Sequence, residues 1–505
     1  MKFNTFTRNR NSTYNHEGAK AYLLGQKEAL YAAVVTSTLS DKFYEKEHVL
    51  LGRIRKLIQE IAAEEPEFIA KLAVYARENM HLRTLPLVLV TELAGLHNGD
   101  DLVRRTTRKV IQRADEITEL LAYYQAANQR NGAKKLNKLS RQLQKGIADA
   151  FNRFDAYQFA KYNRATEVKL RDALFLVHPK AKDPQQQQIF DKIVSGTLEV
   201  PYTWETALSA AGQAAANSGE KAQAIAQVWE ELVHSGKLGY MALLRNLRNL
   251  LQAGISPGAV EIACKRLADP AEVRQSRQLP FRFLAAYREL RNEPSGFTPM
   301  VLEALEQAVR VAAENISGFG PETRGVIASD TSGSMNTRLS ARSSIMHIDV
   351  GILLSMLLQS RCKHVTTGIF GTDYRVVQMP QHNVLASVEQ VSQINVGWAT
   401  NGYKVIEDLI QRQAIVDKVM IFTDCQLWNS SGSNTSIGQL WQQYKQLAPD
   451  AKIYLFDLAG YGNTPLNTQN KDVCFIAGWS DKIFDVLLAI ENGSNAIAEI
   501  ERIDC

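Results

Sequence analysis

The sequence predicts a multidomain chain: an array of α-helices followed by a doubly wound α/β domain. Three observations predict it. From residue 18 to about 316, apolar side chains recur at three- and four-residue spacings in short runs. Ile316-Ser317-Gly318-Phe319-Gly320-Pro321 reads as a Gly-rich linker ending in Pro. Beyond it, short apolar runs alternate with helical patterns, as in a parallel sheet with crossover helices. The division falls at 1–318 and 322–505, and 505 residues with 45% hydrophobic and 22% charged content supply ample core for both parts.

In the first part, helices are expected at 28–36, 49–64, 66–79 and 85–96, punctuated by Pro66, Pro86 and Asn98-Gly99. Further breaks fall at Gly132, Pro179, Gly236, Pro257, Pro270 and Pro294. Strand-like alternation is nearly absent and no strict period is visible. Many short helices in series therefore read as a degenerate helical-repeat solenoid. Residues 239–253 show the pattern: Met241, Leu243, Leu244, Leu247, Leu250 and Leu251 form an apolar stripe. Arg245 and Arg248, three residues apart, share another face, which by periodicity alone is the wet side of a helix.

In the second part, strands are expected at about 325–329, 364–370, 374–378, 418–423, 452–457 and 473–477, with helices at about 345–360, 384–393, 402–412, 437–447 and 480–490. The stretch from Val326 to Met335 carries the chemistry. Val326, Ile327 and Ala328 form a buried strand with Asp330 at its carboxyl end, where open α/β sheets bind ligands. Ser332 and Ser334 follow on the next turn. One carboxylate and two hydroxyls are hard oxygen ligands, suited to Mg²⁺, Mn²⁺ or Ca²⁺. A second loop, Gly397 to Gly402, supplies Thr400, and a second strand, Val419 to Thr423, ends at Asp424. The polar run Ser430 to Ser436 is expected near the same edge.

Net charge is +5. Residues 101–182 alone hold 18 Lys and Arg against 8 Asp and Glu, a local excess that suits a polyanion-binding face. No apolar run approaches the roughly 20 residues that span a bilayer, and the polar N-terminus lacks a signal-peptide core. The five cysteines, at 264, 362, 425, 474 and 505, are odd in number and show no C-x-x-C pair. They are expected as free thiols in the cytoplasm.

Asp330, Ser332, Ser334, Thr400 and Asp424, in this order and each after a strand, resemble the metal-ion-dependent adhesion site of von Willebrand factor A domains. A helical array followed by such a domain resembles the TROVE-domain proteins, the Ro ribonucleoprotein family. Two strings support this: KYNRATEVKLRDALFLVHPK, from Lys161 to Lys180, and YMALLRNLRN, from Tyr240 to Asn249. The resemblance implies HEAT-like helical repeats closed into a ring. It implies small structured noncoding RNAs (Y RNAs) on a basic outer face, and misfolded or single-stranded RNA ends in the central hole. It also implies a role in RNA quality control, maturation or decay beside an exoribonuclease. The outer-face contacts carry over to Lys161, Arg164 and His178, the spacing of the first two being one residue shorter here than in the family. Arg245 and Arg248 are assigned to the hole.

Around these residues, Lys169, Arg171, Lys180 and Lys182 suit phosphate contacts. His178 is expected at a helix C-terminus, able to offer a nitrogen. Tyr157 and Tyr162 are of a type that stacks on bases, with core packing the expectation for both. The resulting expectation is an RNA-binding protein holding one divalent cation, not an enzyme. A metal-dependent hydrolase needs a general base near the metal. The motif loops offer none besides the ligands, and His347 is expected to be packed or capping. The competing expectation is a protein scaffold that grips a partner carboxylate through the metal.

Overall fold

The computed structural model describes residues 12–128, 139–163, 166–314, 319–341, 343–378, 383–428 and 436–505. Arg164, the linker residues 316–318 and the loop residues 430–435 lie outside the described residues.

In chain order the strands are β1 (Ser12–Tyr14), β2 (Lys20–Leu23), β3 (Arg324–Asp330), β4 (His364–Phe370), β5 (Tyr374–Val376), β6 (Lys418–Thr423), β7 (Lys452–Asp457), β8 (Asn463–Thr464) and β9 (Val473–Ala477). All six strands expected in the second part form one sheet of order β5-β4-β3-β6-β7-β9, parallel except for the antiparallel edge strand β5. The central strands are buried along nearly their whole length, so they read as apolar runs without alternation. The chain leaves β3 for β4 on one side and returns to β6 on the other. The carboxyl ends of β3 and β6 therefore flank the point where strand order reverses, and Asp330 and Asp424 stand there.

The sequence reading missed a second, three-stranded sheet, β1-β2-β8. Strands β1 and β2 make a hairpin, and β2 pairs antiparallel with β8 through Tyr22–Thr464 and Leu23–Asn463. The hairpin turn is Asn15-His16-Glu17-Gly18. The Asn15 side-chain carbonyl accepts from the Ala19 amide at 2.9 Å, the Gly18 amide donates to the Asn15 carbonyl at 3.0 Å, and Gly18 takes φ +78°, which a glycine adopts without strain.

The chain packs as two compact units. One comprises 1–54, 240–252 and 257–499; the other comprises 55–239, 253–256 and 500–505. In the first, helices of 240–314 pack with the large sheet. Arg288, from helix Pro280–Leu290, makes a bidentate pair with Asp349 at 2.6 and 2.7 Å and also pairs with Glu389. Glu306, on helix Thr298–Glu314, accepts from the amides of Leu385 and Ala386 at 3.1 and 3.0 Å. It thereby satisfies the amino end of helix Val384–Ser392.

The second unit is a succession of short helices. Leu102–Val110 is typical: Leu102, Val103, Thr106, Thr107 and Val110 are buried, with cations on the opposite face. Its interior holds a buried pair, Arg77–Glu116 at 2.9 Å. Glu116 also accepts from the amides of Gln112 and Arg113 at 2.8 and 3.1 Å. That network ties down the start of helix Ala114–Ala127 and so fixes the backbone of Arg113.

Candidate functional site

The five residues expected to hold a metal come together at the carboxyl edge of the large sheet. Asp330, Ser332, Ser334, Thr400 and Asp424 are all at most 5% exposed. Asp330 Oδ2 accepts from the Thr423 hydroxyl at 2.6 Å and Oδ1 from the Ser332 amide at 2.9 Å. The hydroxyls of Ser332 and Ser334 lie 3.4 Å apart. Thr400 Oγ1 accepts from the Trp428 amide at 2.8 Å, tying its loop to the one after β6. The Gly333 amide donates to the Trp398 carbonyl at 3.0 Å, tying the same loop to the one after β3. These approaches need small residues: a Cβ on Gly371 would stand 2.3 Å from the Gly397 carbonyl oxygen.

The electrostatics of this edge are unfavourable without a cation. Burial pushes Asp424 up to about 7, and the neighbouring Asp330 carboxylate pushes the same way. Burial pushes Asp330 up to about 6 against the hydrogen bonds from Ser332 and Thr423, which favour its anion. One oxygen, Asp424 Oδ2, is buried and accepts no hydrogen bond. An orphaned carboxylate oxygen amid hydroxyls fits a hard cation, whose charge would reverse both shifts. Among the described residues no three His, Cys, Asp or Glu side chains are grouped to hold a metal. A cation here would therefore rest on two carboxylates and three hydroxyls, and such a set suits Mg²⁺ better than a soft metal.

Sequence reasoning missed the groups that lie over this edge. The Tyr44 hydroxyl meets Ser334 and donates to Glu17, and Asp457 stands at the end of β7 with one buried oxygen unpartnered. No local signal marks Glu17 beyond the turn residues around it. All five cysteines are free and buried.

His347 is packed, as expected. It is 3% exposed, edge-on to Trp479 at 5.9 Å, and its Nδ1 lies 3.0 Å from the Thr337 carbonyl. A carbonyl only accepts, so Nδ1 carries the proton and Nε2, buried without a partner, is bare. Burial lowers the pKa to about 3. Below about 6.5 the unfolded chain takes up a proton that the folded chain refuses, so stability falls as pH drops from 6.5 toward 3, by up to roughly 1.4 kcal/mol per unit. Urea unfolding of the parent and of His347→Gln between pH 6.5 and 4.5 should show a shallower pH slope in the variant. Coincident slopes would refute a neutral buried imidazole.

The cationic candidates lie in the second unit. Lys161 ends helix Ala156–Tyr162, and Lys169 and Arg171 open helix Leu170–Val177; all three side chains are exposed. Among the described residues none of the three makes an ion pair. His178 is the exposed C-cap of that helix, in the left-handed conformation at φ +47°, which turns the chain into Pro179. Lys180 and Lys182 are also exposed, and the Lys182 ammonium donates to the Asn152 carbonyl at 2.8 Å. The structure corrects one expectation: Tyr157 is not core but 48% exposed. Tyr162 is half-buried with the Arg113 guanidinium 4.4 Å from its ring centre, and Lys161 lies 5.8 and 5.7 Å from the two tyrosine rings. Together with Gln112 and Gln158 these side chains line a cavity of about 260 Å³.

Other cations of the same stretch are paired. Arg104 pairs with Asp149, Arg105 with Asp101, and Lys109 with Asp504. In the first unit, Arg245 and Arg248 are both exposed on helix Tyr240–Gln252. Arg248 pairs with Glu289.

The TROVE domain model matches residues 9–200 and 195–311, and a model described as a domain of unknown function, DUF7788, matches 325–503. The chain is similar to telomerase protein component 1 of Rattus norvegicus, with 28% identity over 315 residues, 47% of this chain and 12% of that protein. The similarity to the Mus musculus protein is 27% over 352 residues, 54% and 13%. The chain thus spans about an eighth of the length of these relatives. Its fold is similar to that of the Deinococcus radiodurans RO (RSR) protein, with a TM-score of 0.62 at 20% identity over 93% of this chain and 100% of that one. Among the described residues no helix is long and apolar enough to cross a membrane.

Proposed function

Since the chain belongs to the TROVE domain family, we propose that it is the protein of a cytoplasmic ribonucleoprotein, binding RNA rather than acting as an enzyme. The observation that carries this reading is the family match over both 9–200 and 195–311. Lys161, Lys169 and Arg171, which make no ion pair among the described residues, support it, because such cations near exposed aromatic rings suit phosphates next to stacked bases. The RNA is a small structured noncoding, Y-like RNA. Arg245 and Arg248 hold single-stranded ends of misfolded RNAs, and the complex serves RNA quality control, maturation or decay alongside an exoribonuclease. Cross-linking and sequencing of RNA bound in the native host tests the whole; recovery of no structured RNA would overturn it. For the arginine pair, Arg245→Ala with Arg248→Ala should weaken binding of a hairpin bearing a 3′ tail several-fold and leave the untailed hairpin unchanged. Equal loss on both RNAs would count against this role.

The same proposal includes one hard divalent cation, Mg²⁺, with Mn²⁺ or Ca²⁺ able to substitute. Ser332, Ser334 and Thr400 would hold it beside Asp330 and Asp424. It would neutralise the buried carboxylates and offer a site for one further oxygen ligand. A second reading, a scaffold gripping a partner carboxylate there, is favoured by Trp398. This side chain is 68% exposed on the Thr400 loop, and exposed aromatic anchors are common at protein interfaces.

A further inference from the structure

Helix Ala156–Tyr162 is seven residues long and buries only Phe159. Tyr157 and Lys161 lie four apart, as do Gln158 and Tyr162, so each pair shares a face. All four side chains line the cavity of about 260 Å³, whose other wall carries Gln112 and Arg113. The helix thus gives most of its surface to a cavity instead of to core. Both walls are fixed. The Asp155 carboxylate accepts from the Gln158 amide at 2.7 Å and Gln158 Oε1 accepts from the Asp155 amide at 3.0 Å, which caps the helix. The Arg113 guanidinium donates twice to Asp115, at 3.1 and 3.0 Å, and is so held over the Tyr162 ring.

Among the described residues several groups of this cavity have no partner. No other aromatic ring packs on Tyr157 or Tyr162, and neither phenol hydroxyl is hydrogen-bonded. Lys161 makes no ion pair, and its ammonium lies 5.8 and 5.7 Å from the two ring centres. Gln112 spends its side-chain amide on the Lys109 carbonyl at 3.3 Å and keeps its oxygen; Gln158 spends its oxygen in the cap and keeps its amide. The cavity therefore offers aromatic faces, one acceptor, one donor and one cation. The Asp155 carboxylate also lines it, which disfavours a ligand that is only an anion.

That combination matches a nucleotide. Bases stack on aromatic faces, a phosphate takes a lysine, and the pairing edge of every base sets a donor beside an acceptor. In a base pair that edge is used, so only an unpaired base presents it. Pockets for drug-sized ligands begin at about 300 Å³, and this one, at about 260 Å³, has room for a single base. Resting on the RNA-binding reading above, we propose that the cavity takes one unpaired nucleotide of the bound RNA. The base stacks on Tyr157 with its pairing edge toward Gln112 and Gln158, and its phosphate lies at Lys161. The cavity thereby selects a stem interrupted by an unpaired residue over a continuous duplex.

The test is filter binding of the full chain to a fully paired RNA hairpin and to a series in which one adenosine is bulged at successive positions of the same stem. The parent should prefer one member of the series over the paired hairpin about tenfold. Tyr157→Ala, a change at an exposed ring, should remove that preference and leave the paired hairpin unchanged, while Tyr157→Phe should retain it. An abasic residue at the preferred bulge should cost the parent as much as Tyr157→Ala does, and cost that variant nothing, because the two changes remove one contact. Stacking releases few ions, so Tyr157→Ala should keep the parent's salt slope, whereas Lys161→Ala should lower it by about one. If every bulged hairpin binds the parent like the paired one, or if the abasic and Tyr157 losses add, the cavity assignment is overturned and RNA binding stands. Tyr157-dependent competition by millimolar AMP without any preference among hairpins would overturn it in favour of a free nucleotide. If no hairpin binds, both readings fall together.

Discussion

Asp330→Ala should abolish Mn²⁺ binding and, without metal, leave the chain at least as stable as the parent at pH 8. The two halves have one cause. Asp330 and Asp424 are buried and repel each other, so both carboxyls sit well above the usual carboxylate range. A carboxyl raised in the folded state contributes stability that is complete below its unfolded pKa and is lost as pH rises through the folded value, here across about 6 to 7. At pH 8 the metal-free parent therefore bears the full strain of two buried anions, and removing one relieves the other. Metal reverses the balance, because it binds only the deprotonated pair. At a hundredfold excess over Kd the parent should gain roughly 2.7 kcal/mol, more at pH 8 than at pH 6, and the variant nothing. Thermal melts with and without Mg²⁺ at the two pH values check this. A variant that still gains from Mg²⁺ would remove the site from these residues.

The strands that carry Asp330 and Asp424 were legible because both faces of the large sheet are covered. Strands such as Val419-Met420-Ile421-Phe422 then become unbroken apolar runs that end at a carboxylate. What escaped the reading is what depends on distant pairing. Strands β1 and β8 are three and two residues long, too short for any alternation to register, and β8 lies some 440 residues from β2, its partner. The hairpin turn lies against the loop after Asp424 only because His16 is bonded to Gln426, 410 residues on. One ion pair of the basic stretch was hidden in the same way. Residues 101–182 hold a true excess, but Lys109 is neutralised by Asp504, 395 residues further along, and no local count contains that partner. Tyr157 was expected in the core. Its place on a seven-residue helix with only Phe159 buried leaves it outside.

Pairing, rather than net charge, should decide how RNA binding responds to salt. Each phosphate neutralised by a cation releases counterions, and the logarithm of affinity falls by about 0.9 per phosphate for each decade of salt on B-form duplex. Lys161, Lys169 and Arg171 are exposed and unpaired among the described residues, so a phosphate costs them no existing ion pair. Three such contacts give a slope near 2.7, or roughly a 40-fold loss of affinity between 50 and 200 mM salt. Further contacts steepen it. Lys161→Ala with Arg171→Ala should therefore lower the slope by about two. Arg104→Ala with Lys109→Ala removes the same formal charge from the same basic stretch but should lower it far less, since those cations already face Asp149 and Asp504. His178→Ser should weaken binding with little change in slope, because an imidazole that acts by hydrogen bonding releases few ions. Filter binding of a noncoding RNA hairpin across a salt series measures all four proteins. Equal slope losses in the two double variants would show that RNA responds only to the overall field of the basic stretch. A flat response in the parent would move the function to the scaffold, with the metal edge and Trp398 as its working surface.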